Sequence, residues 1–255
     1  MNLAVDIGNS SVKFAVFKDT GILDYVSVPT DDFKNGTPDL TALDFFKKTM
    51  GLIETAAISS VVPAINKKCR TALEQFVNGK IFFADQLQLG MQVNYSGLLG
   101  EDRKMATYAA GKIYGHSTIV VDVGTALTFS LIDKTGSFSG GMITLGPHWM
   151  LKTLAEKTAQ LPHIELEFPT ENVGKNTLEA INCGVFWSIV GTIQTCVAQI
   201  EEYIGERCKV VMTGGYAVFF AQYLNRVVEI DPFLVLRGVN MVLCDSLANE
   251  SRNNE

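Results

Sequence analysis

Two copies of one short pattern constrain the fold of this chain more than any other feature of its sequence. Residues 3–17 (LAVDIGNSSVKFAVF) and 118–132 (TIVVDVGTALTFSLI) each contain an apolar strand, an Asp-x-Gly turn with a hydroxyl-bearing residue close behind, and a second apolar strand. This arrangement is typical of a β-hairpin with glycine at its bend. A weaker repeat follows in the same order, because residues 56–63 (AAISSVVP) and 209–217 (KVVMTGGYA) each place a short buried strand before a turn. The sequence therefore predicts two related halves.

Segments with helical spacing lie between the predicted strands, at residues 40–50, 64–76, 102–114, 149–159 and 177–204. The alternation of strands and helices predicts an α/β fold. No low-complexity linker separates the halves, so we expect them to pack closely with a cleft between them. The expected boundaries are an N-terminal half at 1–115, a C-terminal half at 116–248 and a disordered tail at 249–255.

Composition argues against several classes of protein. With 255 residues, 47% of them hydrophobic and 19% charged, the chain can bury a substantial core. The net charge of −6 provides no global positive field, so a nucleic-acid partner is not expected. No stretch approaches about 20 uninterrupted apolar residues, and no export signal is visible, so we expect a cytoplasmic protein without a membrane partner. Five scattered cysteines and three histidines, without a C-x-x-C pair, argue against a disulfide framework or a zinc site.

The first hairpin has the parts of a phosphate-binding turn. Gly8 lets the backbone approach an anion, Asn9 and Ser10 can donate hydrogen bonds, Lys13 supplies a positive charge, and Asp6 can hold Mg²⁺ directly or through water. The alternative is an ordinary hairpin in which Asp6 only caps the turn. The second copy, with Asp122, Gly124, Thr125 and Thr128, favours a clamp for nucleotide phosphates. The candidate phosphate-binding residues are Asp6, Ile7, Gly8, Asn9, Ser10, Ser11, Val12 and Lys13 of the first hairpin and Thr125 of the second.

The two Asp-Gly hairpins resemble those of the superfamily that contains actin, Hsp70 and the sugar kinases. Within it, residues 100–113 (GEDRKMATYAAGKI) resemble the Gly-x-Asp-Arg signature of type III pantothenate kinases. Further segments resemble blocks of that family in the same order, at 120–133, 140–146, 174–184 and 211–215. The resemblance implies two duplicated ribonuclease-H-like halves, the actin-like ATPase fold, with ATP bound in the cleft between them.

The resemblance also implies an activity, ATP-dependent phosphorylation of pantothenate at the first step of coenzyme A synthesis, and roles for individual residues. Asp102 is expected to be the general base, and Arg103 to bind the pantothenate carboxylate. Asp122 is expected to bind a monovalent cation, K⁺ or NH₄⁺, and the protein to be a homodimer. The substrate-binding residues implied are Tyr95, Gly100, Glu101, Asp102, Arg103 and Thr177, and Gly214 and Gly215 would let adenosine approach the backbone.

Alternatives stay open for several of these residues. An Asp-Arg pair that opens a helix can be a cap and a solvated charge, and Thr177 can be an ordinary helix-terminal residue. Glu101 stands where the family usually has Ala and is expected to raise the pKa of Asp102, while Tyr216 replaces an Asp and puts the adenosine contacts in doubt. The activity has two alternatives: a kinase for another small hydroxylated acid, or a non-catalytic nucleotide-binding regulator of the same fold.

Overall fold

The computed structural model describes residues 1–34, 52–226 and 228–253, so the helix predicted at 40–50 lies outside the described residues. Contacts between Cα atoms divide the chain into two compact units. Unit 1 consists of Met1–Ile113 together with Phe233–Glu255, and unit 2 consists of Tyr114–Pro232.

Unit 1 is built on a mixed sheet that has five strands among the described residues, in the order β3-β2-β1-β4-β5. Strand β1 pairs antiparallel with β2 and parallel with β4; β2 pairs antiparallel with β3, and β4 parallel with β5. The strands are β1 Asn2–Ile7, β2 Ser11–Lys18, β3 Gly21–Pro29, β4 Thr55–Ser60 and β5 Ile81–Phe83. The helices of this part of the chain are α1 Thr30–Lys34, α2 Pro63–Leu73, a 3₁₀ helix Ala84–Gln86 and α3 Glu101–Tyr114.

Unit 2 repeats this sheet. Its described strands have the order β10-β9-β6-β7-β8, with β6 antiparallel to β7, β7 antiparallel to β8, and parallel pairs β6/β9 and β9/β10. The strands and helices are β6 Thr118–Val123, β7 Ala126–Ile132, β8 Phe138–Leu145, α4 Pro147–Lys157, α5 Thr177–Ile204, β9 Lys209–Thr213, α6 Ala217–Ala221 and β10 Glu229–Ile230. The identical strand order and directions confirm the predicted α/β fold with two related halves, including the weaker repeat, which forms β4 and β9.

Helix α2 packs on one face of the unit 1 sheet. Leu3, Val5 and Ile7 of β1 belong to a buried cluster that includes Ile65 and Leu73 of α2. Because successive side chains of a strand point to opposite faces, the intervening residues of β1 lie on the other face. Asp6 therefore projects from the face opposite α2.

Helix α7, Leu234–Asn253, returns the chain to unit 1 and packs on β1. Asn2 of β1 donates a hydrogen bond from Nδ2 to Asn240 Oδ1 at 3.2 Å, and Gly238 lies so close to α3 that an added Cβ would overlap the backbone of Met105. The chain is helical as far as Asn253, so the expected disordered tail at 249–255 is helical over its described residues. The buried side chains of Leu236, Val239, Val242 and Leu243 hold α7 in place. As limits of the duplicated halves, 1–115 and 116–248 remain a prediction.

Helix α5 has the bounds that the sequence predicted, 177–204. Asn176 caps its start by accepting a hydrogen bond from Glu179 N at 3.0 Å, and Gly205 ends it in the left-handed conformation at φ 73°. By length and composition alone α5 could cross a membrane. One face of it, however, belongs to the core of unit 2, where Phe186, Ile189 and Ile193 join the buried side chains of β6 and β7.

Candidate functional site

The β1–β2 hairpin places a carboxylate and a lysine ammonium group side by side in unit 1. Asp6 of β1 lies opposite Lys13 of β2, with 3.8 Å between Asp6 Oδ2 and Lys13 Nζ. Asp6 is 5% exposed. The parallel strand β4 places Ser59 opposite Asp6 on the other side. Lys13, Asp6 and Ser59 thus form one row across the sheet, which we name acid row 1.

The turn between the two strands is tight and open to solvent. Gly8 N donates to Ser11 O at 3.0 Å, and a Cβ at Gly8 would lie 3.1 Å from that same oxygen. Asn9 and Ser10 are exposed, so their backbone and side-chain groups can reach an anion. Buried Thr30, at the start of α1, fixes the turn from below, because its hydroxyl donates to Gly8 O at 2.6 Å and its N–H to Ser10 O at 3.1 Å.

Two of the predicted ATP-binding residues can contribute only backbone groups. The side chains of Ile7 and Val12 are fully buried in the apolar core of unit 1. Ile7 O already accepts a hydrogen bond from Val61 N at 3.0 Å.

The chemistry of acid row 1 and its turn fits phosphate and Mg²⁺. Lys13 supplies the positive charge, and the exposed turn supplies hydrogen-bond donors. The described residues contain no group of three or more His, Cys, Asp or Glu side chains that could hold a metal. Mg²⁺ needs no such cage, since it commonly binds through one or two carboxylates together with phosphate oxygens and water. Asp6 can be that carboxylate.

Asp102 lies in the first turn of α3, also in unit 1. Its Oδ1 accepts a hydrogen bond from Arg103 N at 2.7 Å. Burial raises the pKa of the Asp102 carboxyl above its ordinary value, and the hydrogen bond and charge of Arg103 and the charge of Lys13 oppose that rise. Lys13 therefore acts on both Asp6 and Asp102.

Glu101 does not have the effect that the sequence suggested. Its carboxylate is paired with Lys104 in the same helix, with 2.5 Å between Oε1 and Nζ. The rise in the pKa of Asp102 comes from burial, and Glu101 is not among its causes. The expectation was wrong in its cause because a lysine three residues further along the helix neutralises the glutamate.

The predicted substrate-binding residues of unit 1 come together beside Asp102. The guanidinium carbon of Arg103 lies 5.8 Å from the centre of the Tyr95 ring, within the range of a cation–π contact. A side chain at Gly100 would meet Asp102 Oδ1 at 2.5 Å, so this position has no room for one. Tyr95 is partly exposed and Arg103 is mostly buried.

Unit 2 contains an equivalent row, which we name acid row 2. Asp122 of β6 lies opposite Thr128 of β7 and Thr213 of β9. Gly214 follows β9 with a positive φ of 89°, and a Cβ there would overlap Asp122 Oδ1. Side-chain oxygens from three neighbouring strands therefore share one row, which suits a hard cation.

The other predicted site residues of unit 2 lie in a turn and at the ends of helices. Thr125 lies in the turn of the second hairpin, and its carbonyl oxygen accepts a hydrogen bond from Gly146 N at 3.1 Å. Thr177 is the exposed first residue of α5, and Asn176 rather than Thr177 is the cap. The Thr177 hydroxyl is thus not needed to cap α5. Tyr216 N donates to Val123 O at 3.1 Å.

Sequence reasoning missed three residues that shape this site. Thr30 supports the turn between β1 and β2, Ser59 completes acid row 1, and Lys104 neutralises Glu101. The i,i+3 spacing of Glu101 and Lys104 was a readable signal for the last of these. Ser59 is placed by the parallel pairing of β4 with β1, and Thr30 by its hydrogen bonds to the turn, and neither leaves a local signal.

Comparison with known proteins agrees with the geometry. The family model for type III pantothenate kinase matches residues 2–199. A type III pantothenate kinase from Sulfurihydrogenibium sp. (strain YO3AOP1) is 30% identical over 246 residues, which cover 94% of this chain and 98% of the relative.

Two solved structures resemble the fold. A Campylobacter jejuni protein described as a Baf family transcriptional activator has a TM-score of 0.63 at 21% identity, covering 96% of this chain and 99% of that one. Component A of (R)-2-hydroxyglutaryl-CoA dehydratase from Acidaminococcus fermentans has a TM-score of 0.51 at 14% identity, covering 98% of each chain. At these identities the likeness concerns the fold alone, and it confirms the expected actin-like ATPase fold. Since the family model covers most of its length, the chain belongs to the type III pantothenate kinase family.

Proposed function

We propose that this protein transfers the γ-phosphoryl group of ATP to the 4′-hydroxyl of pantothenate, the first step of coenzyme A synthesis. Membership of the family supports the substrates. The observation that carries the proposal is the position of Lys13, which is paired with Asp6 at 3.8 Å and whose charge also acts on Asp102. A phosphate-binding lysine and a buried carboxylate suited to act as a base therefore belong to one neighbourhood of unit 1.

Asp102 is proposed as the general base. It accepts the proton of the 4′-hydroxyl as the hydroxyl oxygen forms a bond to the γ-phosphorus, and the bond between that phosphorus and the β,γ-bridging oxygen breaks to release ADP. The raised pKa of Asp102 makes it a better proton acceptor than an exposed aspartate, while the charges of Arg103 and Lys13 favour its ionised form. Mg²⁺ at Asp6 would supply positive charge to the phosphates.

Arg103 and Tyr95 are proposed to hold pantothenate. The planar guanidinium suits a carboxylate, since it can donate two parallel hydrogen bonds. Stacking on Tyr95 limits the motion of Arg103 and so fixes where a carboxylate can bind. Gly100 adds no side chain to the space beside Asp102. Thr177, whose residue is exposed, is proposed to bind the pantothenate amide through its hydroxyl.

Further features belong to the same proposal. Asp122, with Thr128 and Thr213 beside it, is proposed to bind K⁺ or NH₄⁺, and Thr125 to contact ATP. We also propose a cytoplasmic homodimer that does not bind nucleic acid, in keeping with the net charge of −6. A monomeric mass in light scattering at micromolar protein would contradict the dimer.

The test is ADP release by the purified protein with ATP and Mg²⁺, with and without pantothenate, in K⁺ and in Na⁺ buffer. Mass spectrometry of the product identifies the acceptor. The proposal predicts ADP release that requires pantothenate, rises in K⁺ and yields 4′-phosphopantothenate. If ATP binds but pantothenate elicits no turnover in either buffer, the kinase proposal fails, and a panel of other hydroxylated acids then separates another kinase from a nucleotide-binding regulator.

A further inference from the structure

The hydroxyl of Ser59, in acid row 1, has an unusual environment. The residue is fully buried, and its hydroxyl oxygen has no hydrogen-bond partner among the described residues. Most buried polar groups are hydrogen-bonded, because a hydroxyl taken out of water without a partner destabilises the fold. An unpartnered hydroxyl that is kept in a core therefore needs an explanation.

The neighbouring serine shows that the fold could have satisfied a hydroxyl at this end of β4. Ser60 Oγ donates to Asn66 Oδ1 of α2 at 2.6 Å and accepts from Val62 N at 3.1 Å. Ser60 thus has a structural role in the connection from β4 to α2. Ser59 points to the opposite face of the sheet and has no such role.

That opposite face is the one that carries the acid. The pairing of β4 with β1 places Ser59 opposite Asp6, and side chains at paired positions of neighbouring strands, which lie about 4.8 Å apart, project from the same face of the sheet. Acid row 2 repeats the arrangement, with Thr213 of β9 opposite Asp122. In both units a hydroxyl-bearing residue accompanies the acid at the same position of the same topology.

We propose that Ser59 is a positioning residue for the Asp6 site, whose hydroxyl gains its hydrogen-bond partner there only when Mg²⁺ and nucleotide bind. The inference rests on the proposed role of Asp6 and deepens it. A hydroxyl next to a carboxylate can fix the direction in which the carboxylate oxygens point, and a hydrogen bond to a charged group is stronger than one between neutral groups. In the unloaded protein the same hydroxyl destabilises the fold.

We expect Ser59→Ala to have opposite effects on the stability of the unloaded protein and on its affinity for Mg·ATP. The melting temperature of the unloaded protein stays the same or rises, because the variant loses only an unsatisfied buried hydroxyl. The affinity for Mg·ATP falls roughly tenfold, the loss expected for one hydrogen bond to a charged group. The affinity for ATP in excess EDTA changes less than twofold, since the metal is absent.

Two variants serve as matched controls. Ser60→Ala removes a hydroxyl that is hydrogen-bonded, so it lowers the melting temperature and leaves the ratio of the two ATP affinities unchanged. Thr107→Val removes another fully buried hydroxyl without a described partner, on α3 and outside acid row 1. It is expected to keep or raise the melting temperature and to leave both affinities unchanged.

The experiment is calorimetric titration of full-length protein with ATP in Mg²⁺ and in EDTA, together with melting of the unloaded protein. The proposal is overturned if Ser59→Ala weakens ATP equally in both buffers, if it leaves Mg·ATP affinity unchanged, or if wild-type protein gains no affinity from Mg²⁺. Pantothenate is absent from these titrations. A protein that shows the expected pattern but does not phosphorylate pantothenate would therefore refute the proposed function and keep this inference.

Discussion

Two neighbouring glycines after β9 provide a sharp test of the geometry around Asp122. Gly214 has a φ of 89°, and an added Cβ would overlap Asp122 Oδ1 and lie 2.7 Å from the carbonyl oxygen of Val123. Gly215, the next residue, has no heavy atom of the described residues within 4 Å of an added Cβ, and its φ lies outside the left-handed region. The same substitution to Ala at both positions therefore compares a crowded, left-handed site with an open one.

The magnitude follows from two contributions. An Ala in the left-handed conformation costs about 1–2 kcal/mol, and overlap that forces the backbone of a neighbouring strand to move costs about 1–3 kcal/mol. Gly214→Ala should thus destabilise the protein by about 3 kcal/mol, which lowers the melting temperature by about 10 °C for a chain of this size. Gly215→Ala should change stability by less than about 1 kcal/mol, because a methyl group there meets open space and restricts the unfolded chain.

The assay is thermal melting of both variants, followed by K⁺ titration of their activity below the melting range. Gly214→Ala should also weaken activation by K⁺, because its Cβ displaces the carboxylate proposed to bind the cation, and Gly215→Ala should not. Equal melting temperatures for the two variants would refute the steric reasoning. Unchanged K⁺ activation in a destabilised Gly214→Ala protein would refute the assignment of the cation to Asp122.

Three further predictions concern charged groups. Glu201 is 6% exposed and accepts hydrogen bonds from Cys208 N and two arginines. Glu201→Ala should therefore destabilise the protein by about 3–5 kcal/mol in urea unfolding. As a control, Arg207→Ala removes one of these arginines, whose side chain is 83% exposed, and should destabilise it by less than about 1 kcal/mol. The apparent pKa of the acid limb of the kcat/KM profile should lie above the ordinary pKa of aspartate, because burial raises the pKa of Asp102 and activity is lost as pH falls through that raised value. An apparent pKa at or below 3.8 would contradict this. Lys104→Met should move the same limb to higher pH by leaving Glu101 unpaired beside the base, and adding Glu101→Ala should move it back; a limb that Lys104→Met leaves in place would contradict the screening role.

The sequence predicted elements whose signals are local. Helix α5 was found with its bounds because the apolar pattern runs from a cap at Asn176 to a glycine at 205. Strands β5 and β10, with three and two residues, are too short for any periodicity to identify them. Helix α7 was not among the predicted helices, and its assignment to the sheet of unit 1 depends on packing between residues more than 200 positions apart.

The candidate site also has features that the local sequence predicts and features that depend on long-range packing. The pairing of Asp6 with Lys13 follows from the short turn between them, since a hairpin turn fixes the register of its strands. The position of Ser59 opposite Asp6 depends on a parallel pairing across more than 50 residues, which no local pattern specifies. The burial of Asp102, which raises its pKa, is a property of the packed helix and likewise cannot be read from neighbouring residues.

Asp102→Asn tests whether Asp102 removes the proton from the pantothenate hydroxyl. This near-isosteric change keeps the shape of the site but leaves no carboxylate to accept a proton. Asp85→Asn, at an exposed position of the 3₁₀ helix in the same unit, is the matched control. We expect Asp102→Asn to lower kcat for pantothenate-dependent ADP release by about 10²-fold or more. Its Mg·ATP affinity and melting temperature should stay close to those of the wild type, and Asp85→Asn should remain fully active. An Asp102→Asn protein that retains wild-type kcat would contradict this role for Asp102.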